Sequence, residues 1–365
     1  MKKIITVTAA VLSAVIIFSA CTTGEGPTDT STVTSDTPTT TYVTSTTSSE
    51  TTSATTAETN PEPRYVDHVF NPHVISSIDL MAYGKDYEDD FYRFCDAVLE
   101  GADTVRLDDP EFCYACLDTG RYCLPIVSEM VCNIDPETSS LGNGIYRIEY
   151  TCDHDEYMKE VGKFKARVEE LIERCIHEGD NDLEKAIELY SSEARRLSYD
   201  YDAADESIET NRACNPYHSL MEDSGICQEI AGTYAYLLLQ AGIDAGTCGS
   251  LNGDNSQGHE WTVVRLGGRF YHCDVTFQLD TPDSLRYFGM TDEDRNCEGD
   301  WQIDIFNFSG TNKIWHKDIP CEDERFADIR MCDHYELDNG NDMLSCYFLG
   351  GPDPYLQYPL EQDSN

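Results

Sequence analysis

Basic residues are scarce in this chain of 365 residues. Lys and Arg number 25 against 68 Asp and Glu, which gives a formal net charge of −43. So negative a surface repels phosphates, and it argues against nucleic acid or anionic membrane faces as partners. No internal repeat is found. No acidic loop has the ligand spacing of a calcium-binding hand. Histidine is missing from the stretch holding Cys113, Cys116, Cys123 and Cys132, and the gaps there match no familiar zinc pattern. No metal and no other cofactor is expected.

The apolar run from Ile4 to Phe18 has 15 residues, short of the roughly 20 that a spanning helix needs. It follows the basic start Met1-Lys2-Lys3 and ends in Phe18-Ser19-Ala20-Cys21. This is the layout of a signal peptide, residues 1–20, read with a lipobox. The ending resembles a bacterial lipobox, with Cys21 as the lipidated new N-terminus, although Phe18 stands where Leu is usual. The expected location is outside the cell, tethered to the outer face of the cell membrane. From Thr22 to Asn60, 24 of 39 residues are Ser or Thr and none is Lys or Arg. Such a stretch cannot bury enough apolar surface to offset its ordering entropy. Residues 21–63 are therefore expected as a disordered stalk with a mean span of roughly 35 Å.

Cysteine is abundant, at 16 residues. Setting aside one lipidation site and one nucleophile leaves 16 − 2 = 14. An even remainder fits disulfides in an exported chain and fits buried free thiols equally well.

In residues 64–152 the pattern predicts a helix over 87–99 and strands over 125–132 and 144–152, a small α+β domain. Apolar residues at three- and four-residue steps predict helices over 155–177 and 182–197. A third helix begins at Cys227 and runs through Ile230, Ala231, Tyr234, Leu237, Leu238 and Ala241 to a stop at Gly242. A helix start stabilises negative charge and so favours the thiolate of a cysteine placed there. That is the preferred setting for a cysteine nucleophile.

Downstream, Gly258 to Leu266 reads as a strand, Gly267-Gly268 as a two-residue turn, and Arg269 to Thr276 as the returning strand. A turn centred on the glycines sets Leu266 against Arg269, Trp261 against Asp274 and His259 against Thr276. His259 and Asp274 then share a face as diagonal neighbours, with Cα atoms roughly 7–8 Å apart. A His–carboxylate bond would fix the imidazole tautomer and leave the other ring nitrogen to take the thiol proton. His272 lies on the same face, but it points alongside Asp274 rather than toward it, so His259 is preferred as the base.

The order Gly225-Ile226-Cys227-Gln228, then Gly258-His259-Glu260-Trp261, then Gly267-Gly268-Arg269-Phe270-Tyr271-His272-Cys273-Asp274, resembles the bacterial transglutaminase-like superfamily. Leu285-Arg286-Tyr287-Phe288 with Thr291-Asp292, and Tyr199-Asp200 upstream, extend the likeness over about residues 182–295. The resemblance implies a papain-like α+β core, in which a Cys-bearing helix packs on an antiparallel sheet bearing His and Asp. Cys227 is implied as nucleophile, His259 as base and acid, and Asp274 as orienter. Glu260 departs from the family, which commonly has a small residue there. The stretch Tyr217-His218-Ser219-Leu220 is a candidate neighbour of the catalytic loop. The expected layout places the transglutaminase-like domain at 153–320 and an acidic C-terminal extension at 321–365. The expected activity is acyl transfer from a protein or peptide amide through a thioester, with hydrolysis preferred over cross-linking. The alternative is a non-catalytic binding or adhesion module on the same scaffold.

Overall fold

The computed structural model describes residues 64–205, 215–251, 258–297, 305–306 and 318–360. The expected signal peptide, Cys21 and the Ser/Thr stalk lie outside these residues. No helix among the described residues is long and apolar enough to cross a membrane.

The fold is mixed α+β. Its first part comprises α1 (Ser77–Tyr83), α2 (Asp86–Leu99), β1 (Thr104–Arg106), α3 (Phe112–Cys123), α4 (Ile126–Met130), β2 (Val131–Asn133), β3 (Ser140–Gly142), β4 (Ile145–Arg147) and β5 (Glu149–Tyr150). The expected strand over 125–132 is thus mostly helix: α4 occupies it, and only β2 at its end is extended. A short apolar run after a proline suits either state by pattern. Here Pro125 opens a helical turn, and the Val127 and Ser128 N–H groups donate to the Leu124 and Pro125 carbonyls.

Next come α5 (His154–Glu173) and α6 (Asp182–Arg196). Both begin where their caps dictate. The Asp153 carboxylate accepts from the Glu156 N–H. Asn181 and Glu184 cap α6 reciprocally, and Glu184 accepts from the Asn181 N–H at 2.8 Å. Then follow β6 (Ser198–Tyr199), α7 (Tyr201–Ala204), α8 (Pro216–Glu222), β7 (Ser224–Gly225) and α9 (Cys227–Gln240).

Helix α9 is the centre of the molecule. Ile230, Tyr234, Leu237 and Leu238 are fully buried, each contributing on the order of 2 kcal/mol of transfer free energy. Gly232 lets two neighbours approach: a Cβ there would lie 2.3 Å from Pro216 Cγ and 2.9 Å from Tyr122 Cδ1. The helix is therefore clasped between α8 and α3 at a point where only glycine fits.

On its other side α9 lies against a four-stranded antiparallel sheet formed by β8 (Ala245–Leu251), β9 (Gly258–Leu266), β10 (Arg269–Cys273) and β11 (Ile305–Phe306), in the order β10-β9-β8-β11. Thr262 Oγ1 donates to the Ala231 carbonyl at 2.8 Å and pins strand to helix. The alternate face of the sheet carries a smaller apolar cluster: Ile78, Cys248, Trp261, Val263, Ile319 and Cys321.

The hairpin register is the expected one from Leu266 opposite Arg269 to Thr262 opposite Cys273, with Gly267 at φ 55° and Gly268 at φ 77°. The strand stops three residues early, however. Asp274 leaves the sheet and caps α10 (Val275–Gln278), so the expected pairs Trp261–Asp274 and His259–Thr276 do not form. An aspartate is a strong helix N-cap, and its carboxylate accepts the Phe277 N–H at 3.0 Å.

After α11 (Asp292–Cys297), residues 321–360 contain a three-stranded antiparallel sheet: β12 (His334–Asp338), β13 (Met343–Tyr347) and β14 (Leu356–Pro359). Phe326, Ile329, Leu344 and Leu360 from this segment join the main core.

Candidate active site

Cys227 is the first residue of α9 and is 3% exposed. The turn before it is held by Glu229, whose carboxylate accepts from the Ile226 N–H at 2.9 Å and the Asn215 N–H at 3.3 Å. Ser219, in the stretch singled out as a neighbour of the catalytic loop, is fully buried and donates to the Glu229 carbonyl at 2.9 Å. His218 Nδ1 lies 3.1 Å from the Ser224 carbonyl. That stretch therefore braces the start of α9.

His259 is the second residue of β9. Thr262 is tied to Ala231, one turn into α9. Glu260 lies beside Tyr122, whose hydroxyl accepts from Gln228 Nε2 at 3.0 Å. These contacts fix the relative direction of strand and helix, so the starts of both, with His259 and Cys227, sit at the same end of the layer.

His259 and Asp274 are in direct contact. His259 Nε2 donates to Asp274 Oδ2 at 2.7 Å, and both side chains are fully buried. Nδ1 is the ring nitrogen not engaged by the carboxylate. Phe277 stacks on the imidazole at 4.6 Å between ring centroids. Asp274 is locked further by its own backbone. Its N–H donates to the Tyr287 carbonyl at 2.9 Å, and its carbonyl accepts from the Tyr190 hydroxyl at 3.2 Å.

Arg295 completes this arrangement and was not singled out in the sequence. It is fully buried, and its Nη2 lies 3.2 Å from Asp274 Oδ2. Its guanidinium sits 4.1 Å from the Trp261 ring centroid and 5.0 Å from that of Phe277. Burial alone would raise the Asp274 carboxyl. The charges of His259 and Arg295 outweigh burial and hold it below the usual carboxylate range. The two neighbouring cations thus favour the Asp274 carboxylate over its protonated form.

His272 is fully committed elsewhere. Trp261 Nε1 donates to its Nδ1 at 3.0 Å, so the proton sits on Nε2, which lies 2.8 Å from Asp292 Oδ1. A ring with both nitrogens occupied cannot accept a thiol proton. Activity of His272→Asn is expected to stay within about tenfold of wild type while its thermal midpoint falls. An activity loss as deep as that of a His259 variant would transfer the base role to His272.

Cys113, Cys116 and Cys123 lie on the buried side of α3, and burial pushes the Cys116 and Cys123 thiols well up.

Glu260 is fully buried, and neither carboxylate oxygen finds a hydrogen-bond partner of proper geometry. Burial pushes its carboxyl up to about 7, with Thr247, Tyr122 and Arg121 only partly opposing. A carboxyl that holds its proton in the folded state and loses it in the unfolded state makes stability fall as pH rises. The window runs from the ordinary glutamate range to about 7. Glu260→Gln should remove that fall and be more stable than wild type by about 3 kcal/mol at pH 8, with the two converging near pH 4. Urea denaturation across that range checks it, and parallel stability curves would show that Glu260 does not titrate there.

Residues 169–275 match the family model of the transglutaminase-like superfamily, a segment that contains Cys227, His259 and Asp274. No curated protein matches the chain. Among solved structures, one described as a TGase aligns with 34% of this chain and 34% of its own, at 13% identity and a TM-score of 0.27. A candidate cysteine protease from Cytophaga hutchinsonii aligns with 34% of this chain and 43% of its own, at 17% identity and a TM-score of 0.25. The chain thus spans less than half the length of either structure.

Proposed function

We propose that the protein is a cysteine-nucleophile enzyme that transfers the acyl group of a peptide or protein amide through a thioester. The observation that carries this reading is the fully buried His259–Asp274 bond of 2.7 Å at the end of the layer where α9 begins with Cys227. It is supported by the family match over 169–275, which covers a cysteine-type enzyme family.

In this reading His259 takes the Cys227 proton through Nδ1, and the thiolate attacks the amide carbon. The tetrahedral oxyanion is met by first-turn N–H groups of α9, which have no acceptor within the helix. The C–N bond then breaks, the imidazolium returns its proton to the departing amine, and a thioester remains. Water or a second amine, deprotonated by His259, attacks that thioester, and Cys227 is released as the thiol. Asp274 holds the ring and balances the imidazolium, and it forms no bond to substrate. Hydrolysis is preferred over cross-linking.

A panel of peptides, assayed for released amine with and without an added primary amine, tests this. Turnover that requires Cys227 supports the reading, and product incorporating the added amine would change the acceptor to an amine. No turnover on any peptide or glutamine-containing protein would favour the binding-module alternative.

The proposed setting is the outer face of the cell membrane, with the lipid on Cys21 and the Ser/Thr stretch as a spacer. The layout of residues 1–21 motivates it. Cys21→Ala is expected to move the protein from the membrane to the soluble fraction. Unchanged partition, or an unmodified Cys21 by mass spectrometry, would contradict the tether.

A further inference from the structure

A second cluster of chemistry-bearing side chains lies at the start of α6, on residues the acyl-transfer reading does not use. Asp180 is 8% exposed, Glu184 is 1% exposed, and the Glu188 side chain is 10% exposed. His177, just before the α6 cap, puts Nδ1 2.9 Å from Glu188 Oε1 and 3.7 Å from Asp180 Oδ2. The ligand atoms of His177, Asp180 and Glu188 all fall within 4.8 Å of one another. Asn339, in the turn between β12 and β13, reaches into their midst. Its Nδ2 lies 2.7 Å from Asp180 Oδ1, 2.8 Å from Glu188 Oε1 and 3.4 Å from His177 Nδ1.

Two observations separate this cluster from a solvated acidic surface. Among the described residues, no Lys or Arg forms an ion pair with Asp180, Glu184 or Glu188. The ion-pair partner given for Asp180 and Glu188 is His177, and buried carboxylates without a permanent cation take up a proton or bind a metal. In addition, Glu188 Oε2 and Glu184 Oε1 are buried with no hydrogen-bond partner, and Glu184 lies beside Asp180 and Asp342. The neutral Asn339 amide supplies two protons to the centre but no charge. Turning that amide about its last bond exchanges Nδ2 for Oδ1 and makes it a ligand instead of a donor.

We infer that His177, Asp180, Glu188 and Asn339 form a binding site for one divalent cation, with Glu184 and Asp342 as the charges behind it. One imidazole nitrogen among carboxylate and amide oxygens suits a borderline-hard ion of the Mn2+ kind, with Ca2+ weaker because it prefers oxygen alone. The site joins the start of α6 to the turn between β12 and β13. A bound cation would thus tie the C-terminal sheet to the helix that carries Tyr190, the residue holding the Asp274 carbonyl.

The test uses the full chain after treatment with a chelator. Mn2+ is titrated with free-ion detection by electron paramagnetic resonance, and the thermal midpoint is read with Mn2+ and with Ca2+. Zinc is avoided because the thiols would capture it. The expected result is saturation at one equivalent of Mn2+ and a rise in midpoint of several degrees. Both should be lost in the double variant Asp180→Asn with Glu188→Gln, with affinity falling about 100-fold or more. These isosteric changes remove charge without adding bulk, and the metal-free midpoint shows whether the variant is folded. Should it not fold, Asn339→Ala, at a half-buried turn, takes its place and should weaken Mn2+ binding. Neither ion binding, or binding that is undiminished in the variants, overturns the inference.

Discussion

Cys227→Ala is expected to abolish measurable acyl transfer, with turnover falling by about a million-fold. The proposed thioester requires a nucleophile at that position, the first residue of α9. Cys95, Cys116, Cys123 and Cys248 are fully buried or nearly so, and desolvation pushes their thiols well up, away from the reactive form. The substitution removes one sulfur at the first residue of α9. The bonds that brace the helix start run through Glu229, Asn215 and Ser219 and are untouched. The thermal midpoint should therefore change little, which separates a lost nucleophile from a lost fold. Retained activity in a folded Cys227→Ala protein would place the chemistry elsewhere and leave the transglutaminase-like likeness as one of fold.

Asp274→Asn is expected to lower turnover by about a thousand- to ten-thousand-fold, with a smaller effect on substrate binding. The Asp274 carboxylate accepts from two donors, the Phe277 N–H on Oδ1 and His259 Nε2 on Oδ2, and Arg295 Nη2 forms an ion pair with Oδ2 at 3.2 Å. An amide has only one oxygen. Whichever way it is turned, its NH2 group faces either the α10 cap or the imidazole and guanidinium together. In the first case the cap is lost and the ring keeps a neutral partner. In the second the imidazole is driven to the opposite tautomer, and Arg295 is left as a buried unbalanced cation. Stability should fall as well, by about 3 kcal/mol, the usual cost of breaking a buried ion pair from one side. Paired measurement of turnover and of the urea midpoint checks both parts. Full activity in a folded Asp274→Asn protein would remove Asp274 from the catalytic machinery.

Much of this site is legible in the sequence because it lies on regular elements. Helix α9 announces itself by the period of Ile230, Tyr234, Leu237 and Leu238 and by Gly242, and its first residue is thereby fixed. The two glycines at 267 and 268 set a register that holds over the five pairs of β9 and β10. The same spacing brings His259 and Asp274 within reach even though the extrapolation fails at its last step. Alternation carries no information on where a strand ends. Asp274 belongs to α10 because its carboxylate competes better as a helix cap than as a sheet residue. What periodicity could not show are contacts between distant segments. Arg295 stands in an acidic run with no apolar pattern, and its role follows only from its packing between Trp261 and Phe277. Glu260 sits in a strand whose residues are buried on both faces, so alternation does not mark it as unusual. The short helix α4 departs from the strand expected there because a run of five residues, Ile126 to Met130, is too short for its apolar positions to separate the two periods.

The most direct test of the account needs no substrate. Iodoacetamide is applied to the folded protein near pH 6, and every alkylated cysteine is mapped by mass spectrometry in wild type and in His259→Ala. Cys332 is the internal comparison, since a hydrogen bond from Cys346 holds its thiol below the ordinary range. The account predicts that Cys227 is modified first in wild type, ahead of Cys332 and the core thiols. In His259→Ala its rate should fall by about 100-fold or more, while Cys332 keeps its own. Cys227 reacting no faster than Cys332, or at the same rate without His259, would contradict activation of the Cys227 thiol by His259 and with it the proposed chemistry.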